Sequence, residues 1–178
     1  MQSDFPRVMQ GTMIQMWASK LGLAKFDTAL FNDMMKLMIE TSVDYTIFFR
    51  ELSNVPEDIA PIAKSFYGES VLNDKLMQQW TEWFGRWKAL VNVKTKEEIE
   101  ALSKKMKSVN PKYALREWFL VPTYKHATHG DYDLVHQLQE IMNKPYEEQS
   151  EEVENLFYRE KPAELFDIAG VSHVTCSS

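Results

Sequence analysis

With 178 residues, 44% hydrophobic and 12% aromatic, the chain can bury one substantial core, which excludes a wholly disordered segment. Twenty Lys and Arg against 26 Asp and Glu give a net charge of −6, with the basic residues scattered rather than striped, so no nucleic-acid partner is expected. One cysteine, Cys176, excludes an intrachain disulfide or a cysteine-based zinc cluster within these residues.

The N-terminus, MQSDFPRVMQ, has no charged segment followed by an apolar stretch, and no apolar run reaches the roughly 18 to 20 residues that span a bilayer, so the piece reads as soluble with no membrane partner. Six glycines and apolar residues recurring every three or four positions predict an all-α fold. Phe26, Leu30, Met34 and Met38, with Phe31, Met35 and Ile39 alongside, predict an amphipathic helix after an Asp27-Thr28 start. Residues 53–68, with Pro56, Pro61 and Gly68, read as a loop. The clearest helix steps from Val71 and Leu72 through Leu76, Trp80, Trp83, Phe84 and Trp87 to Leu90 and Val91, with Asn73 among its polar positions.

Asn110-Pro111 has the form of a cap followed by proline at the first helical position, predicting a helix from about residue 111 with Leu115, Trp118 and Phe119 as its apolar face. Pro122 inside that pattern should kink or restart it near Val121. His129-Gly130 looks like a helix end, and Asp131 can cap a next helix through Leu134, Val135, Leu138, Ile141 and Met142 that stops at Asn143-Lys144-Pro145. The acidic run from Tyr146 to Glu154 reads as a solvated, partly flexible segment. Lys161-Pro162 precedes a short apolar turn through Leu165, Phe166 and Ile168. With no internal repeat, residues 1–170 form one helical domain and residues 171–178 a flexible tail carrying Cys176.

Chemistry is sparse along this chain. Gly22, Gly68, Gly85 and Gly130 are isolated rather than gathered in a phosphate loop, so this stretch alone is not expected to bind ATP. His126 and His129, with His136 and Glu140, have metal-ligand spacing, but beside Lys125, Asp131 and Asp133 they read better as solvent-facing or helix-ending groups. Trp80, Trp83 and Trp87 lack the interleaved basic residues of a base-stacking surface and read as core, as do Met34, Met35 and Met38. The acidic run lacks the spacing and turn glycine of a calcium loop. Cys176, third from the end, is an accessible thiol, and from its own surroundings an incidental one.

Several ordered segments together resemble the selenoprotein O family. They are Lys20-Leu21-Gly22-Leu23, Asp44-Tyr45-Thr46, Phe49-Arg50-Glu51-Leu52, Trp83-Phe84-Gly85-Arg86-Trp87, Asn110-Pro111-Lys112-Tyr113-Ala114-Leu115-Arg116 and the terminal Cys176-Ser177-Ser178. The similarity runs from about residue 13 to the last residue. It implies that this is the C-terminal portion of a protein with a kinase-like fold, which transfers AMP from ATP to Ser, Thr or Tyr hydroxyls of protein substrates. ATP and Mg2+ would then belong to the complete protein, on a catalytic core upstream, with no catalytic, cofactor-binding or metal residue in this chain.

The resemblance also places Cys176 where some members carry selenocysteine, and implies pairing with a cysteine near the activation segment, which makes Cys176 a redox-switch candidate. Partners implied are the upstream core and the protein substrates. The compartment is mitochondrial for a eukaryotic source and cytoplasmic for a bacterial one. Two other readings stand beside this one: a free-standing helical interaction domain, and a small redox protein acting through Cys176 with His173 as the nearby base.

Overall fold

Helices are the only extended secondary structure among residues 5–67, 73–162 and 165, the part of the chain described in a computed structural model. They are α1 (Phe5–Lys20), α2 (Thr28–Thr41), α3 (Tyr45–Leu52), α4 (Ala60–Ala63), α5 (Asp74–Val91), α6 (Lys96–Lys107), α7 (Glu117–Ala127), α8 (Asp133–Asn143) and α9 (Glu151–Phe157). One isolated antiparallel bridge joins Val43 and Phe66. The all-helical expectation therefore holds for the described residues. Two compact units, Met1–Asn110 and Pro111–Ser178, divide the stretch that the sequence treats as one domain.

In the first unit, α2 starts where the sequence places it, because the Asp27 side chain accepts the Leu30 N–H at 2.7 Å and satisfies one orphan donor of the first turn. Leu30, Met34 and Met38 are buried, and α2 packs on α5. Trp80, Trp83 and Trp87 are almost completely buried, so these tryptophans are core as read. Each burial contributes roughly 4 to 6 kcal/mol of transfer free energy, before conformational entropy is subtracted. That burial is tolerable because every indole N–H finds an acceptor: Trp80 donates to Thr41 Oγ1 at 2.9 Å, Trp83 to the Leu30 carbonyl at 2.9 Å and Trp87 to the Leu21 carbonyl at 2.8 Å. Two stripe residues depart, since Ile39 and Leu90 are exposed.

Asn73 corrects the start of α5. It lies outside the helix as its cap, accepting the Leu76 N–H at 2.9 Å, while Val71 and Leu72 lie outside the described residues. The 53–68 loop reading also gives way in part, because Ala60–Ala63 forms a single turn, with Pro61 in its first positions.

The second unit is built around Tyr113, Trp118, Phe119, Leu138, Ile141 and Phe157. Here the helix expected from residue 111 begins only at Glu117. Asn110 caps nothing, because its carboxamide is engaged elsewhere, and the N–H groups of Lys112 and Tyr113 both turn to the Pro145 carbonyl, at 2.7 and 3.1 Å. Pro122 starts no new helix: α7 runs through it, forgoing one backbone bond. The helix end at His129-Gly130 is as expected, with Gly130 at φ +81°, and α8 stops at Asn143. Asp131 accepts the Asp133 N–H at 3.1 Å from one position before Tyr132, the residue that precedes α8. The acidic run is half helical, because Ser150 accepts the Val153 N–H and Glu151 and Glu152 suit the positive end of α9.

Candidate functional site

Three of the segments that carry the resemblance meet in one buried polar node of the first unit. Lys20 ends α1, Arg50 and Ser53 lie on and just after α3, and Asn110 follows α6. The ammonium of Lys20 donates to Asn110 Oδ1 at 2.9 Å, and Asn110 Nδ2 donates to the Lys20 carbonyl at 2.9 Å and to Ser53 Oγ at 3.0 Å. Arg50 donates to the Asn110 carbonyl at 3.1 Å and reaches the Lys107 carbonyl at 3.4 Å. Asn110 and Ser53 are completely buried and Arg50 nearly so.

The Lys20 ammonium also lies 5.0 Å from the centre of the Phe49 ring and 5.2 Å from that of Tyr45. Ring quadrupoles and one amide oxygen thus replace water around the charge. Burial still lowers the Lys20 pKa, and it pushes the Tyr45 hydroxyl up to about 12, leaving the phenol neutral at physiological pH. Ser53 Oγ gives its proton to the Phe49 carbonyl at 2.6 Å and accepts from Asn110, which leaves it no base to activate it. The node ties residues 90 apart in sequence; its hydrogen-bonding pattern is that of a fastening rather than of a reacting centre.

Lys112 organises the second unit in a similar way. Its ammonium is bonded to Glu148 and, at 2.8 Å, to Glu154, and lies 5.0 Å from the Tyr158 ring centre. Burial pulls its pKa down, but the hydrogen bonds to Glu148 and Glu154 outweigh that and hold it above the usual lysine value. The acidic run therefore supplies the carboxylate partners of a buried cation, Lys112, from within the chain. Asn110-Pro111-Lys112-Tyr113 sits at the division of the two units, Asn110 serving the first and Lys112 and Tyr113 the second.

His126 Nδ1 lies 2.7 Å from Asp131 Oδ2, and His129 Nδ1 is 2.8 Å from the Lys125 carbonyl, at the end of α7. The hydrogen bond from His126, followed by that from the Asp133 N–H, lowers the Asp131 pKa. Both rings serve the end of the helix, and among the described residues no three His, Cys, Asp or Glu side chains gather where a metal could bind. No described helix is long and apolar enough to cross a membrane. Cys176 and His173 lie outside the described residues.

Sequence reasoning named Lys20 and Arg50 within motifs without giving them a role, and took Asn110 for a helix cap. The available signal was a basic side chain set among apolar neighbours, in Lys20-Leu21-Gly22-Leu23 and in Phe48-Phe49-Arg50-Glu51-Leu52. Such a charge must find partners inside the fold.

A family model described as protein adenylyltransferase SelO matches residues 2–143. Among similar proteins, the protein nucleotidyltransferase YdiU of Flavobacterium johnsoniae is 30% identical over 173 residues, covering 92% of this chain and 33% of the relative. The protein of the same name from Vibrio vulnificus is 33% identical over 146 residues, covering 77% of this chain and 28% of the relative. That from Xanthomonas oryzae is 31% identical over 169 residues, covering 90% and 32%. The chain thus spans about a third of the length of the curated relatives it matches. With its matched residues taking in the whole polar node of the first unit, the chain belongs to the SelO family of protein adenylyltransferases.

Proposed function

We propose that the chain is the C-terminal helical part of a protein nucleotidyltransferase that moves AMP from ATP to Ser, Thr or Tyr hydroxyls of protein substrates. In that reaction the hydroxyl oxygen forms a bond to the α-phosphorus, pyrophosphate leaves and the hydroxyl proton is released. The observation that carries the reading is the family match over residues 2–143, joined to relatives named as protein nucleotidyltransferases. The described residues do not fit a nucleotide or Mg2+: the glycines are isolated and the polar nodes are satisfied internally. ATP and Mg2+ are therefore assigned to a kinase-like core in the remainder of the complete protein, and this chain supports that core and is inactive alone. Cys176 serves as a redox-sensitive tail thiol, which restrains the core when paired with a cysteine there and releases it on reduction.

Asn110→Ala in the longest polypeptide that the gene encodes tests the supporting role, because it loosens the node without touching a substrate. AMP transfer should fall several-fold at a temperature where the parent is fully folded, and recover on cooling. Transfer that is unaffected while the module melts would contradict it. For the tail, Cys176→Ser should abolish a reducible mobility shift on a non-reducing gel, and an unchanged gel would overturn the switch.

A further inference from the structure

The second unit holds a cavity of about 250 Å³ between α7, α8 and the end of α9. Four buried core residues, Trp118, Phe119, Leu138 and Phe157, line it, and Leu134 and Leu156 extend the apolar lining. The volume lies just below the roughly 300 to 1,000 Å³ of pockets for drug-sized molecules, so it suits a body on the order of ten non-hydrogen atoms.

Polar groups on its walls are few, and one carries a charge. The Thr123 hydroxyl is already committed, donating to the Phe119 carbonyl at 2.7 Å. Arg159 is the single cation of the lining. Its Nε donates to the Leu156 carbonyl at 3.1 Å, and its guanidinium carbon lies 5.0 Å from the centre of the Trp118 ring. These contacts orient the fork and leave its two terminal nitrogens uncommitted, with no carboxylate paired to it among the described residues. The indole N–H of Trp118 is buried without an acceptor among the described residues, unlike those of Trp80, Trp83 and Trp87. A buried donor left open in an otherwise apolar wall calls for an oxygen that these residues do not supply.

We propose that this cavity binds a small organic acid, an apolar body of about eight to ten carbons ending in one carboxylate. The body lies against Trp118, Phe119, Leu138 and Phe157, and the carboxylate sits on the Arg159 fork. A guanidinium takes a carboxylate through two parallel N–H···O bonds, and one cation matches one negative charge. A phosphate monoester dianion would leave its second charge uncompensated beside an apolar wall, and an amine would meet a like charge. The proposal goes beyond the transferase reading and does not rest on it, because every residue it uses lies within the second unit.

Octanoate titrated into the 178-residue chain, with 1-octanol as the uncharged match and the indole N–H resonance of Trp118 as the readout, tests the proposal. Octanoate should shift that resonance saturably and bind roughly 10- to 100-fold more tightly than 1-octanol, the margin expected of hydrogen bonds to a charged group. Arg159→Met should bring octanoate down to the level of 1-octanol while 1-octanol, which reports an intact cavity, binds as before. Arg159→Lys should keep only part of the preference, since an ammonium cannot make the paired contact. Equal binding of acid and alcohol would overturn the proposal by showing an apolar slot and nothing more. So would the lack of a saturable shift with octanoate, or a preference for the acid that survives Arg159→Met. A peptide ending in a free leucine carboxylate that binds more tightly than octanoate, and fails to bind when amidated, would also overturn it, because the occupant would then be a polypeptide terminus.

Discussion

Asn110 shows how much of the first unit hangs on one carboxamide. It is completely buried, accepts from the Lys20 ammonium and donates to both the Lys20 carbonyl and Ser53. Asn110→Ala leaves a buried ammonium short of its only oxygen partner in the node, and should cost about 3 kcal/mol, read by urea unfolding of the 178-residue chain. A loss within experimental error would mean that water replaces the carboxamide. At Lys112 the sign of the pH dependence follows from a pKa raised in the fold. Its contribution is complete below the unfolded value near 10.4 and is lost as pH rises through the folded value. Because Glu148 and Glu154 are about half exposed, Lys112→Met should cost only about 1 to 2 kcal/mol at neutral pH, and the gap from the parent should close at alkaline pH as Lys112 loses its proton. A gap that is already absent at pH 8 would show that the pair adds nothing.

Among the elements, those with a strong apolar period and a cap were legible, and those whose ends depend on distant partners were not. Asp27 capping α2 and the tryptophan stripe of α5 could be read directly, because local spacing and burial agree. The capping box of Thr95 and Glu98 at the start of α6 is equally local, and was a signal available in the sequence that the periodicity reading passed over. Asn110-Pro111 misled for a physical reason: the carboxamide that could cap a helix is the same one that secures Lys20, and the tertiary use wins. At Pro122 the helix does not restart, because it can surrender one backbone bond when its other residues stay packed.

Glycine substitutions separate strain from crowding at this scale. Gly22 sits at φ +68°, and an added Cβ would lie 2.6 Å from Met106 Sδ and 2.9 Å from Leu102 Cδ1, so Gly22→Ala should cost about 3 kcal/mol through both effects. Gly130, at φ +81° with no neighbour within 4 Å, should cost only about 1 kcal/mol on the same change. Equal losses, measured by thermal unfolding, would contradict the role given to the contact between Gly22 and α6.

For the molecule as a whole, the division after Asn110 and the short span relative to the relatives frame the functional reading. The buried node was legible as residues but not as a place, since no periodicity brings Lys20 to a residue 90 positions away. The exposed apolar side chains of α1 are likewise invisible to composition, which counts methionines without saying which are covered. The most direct measurement is ATP-dependent transfer of labelled AMP to protein, comparing the 178-residue chain with the longest polypeptide its gene encodes, with and without reductant. The account predicts labelling by the long form alone, increased by reduction; no labelling by the long form, or labelling by the short one, would contradict it.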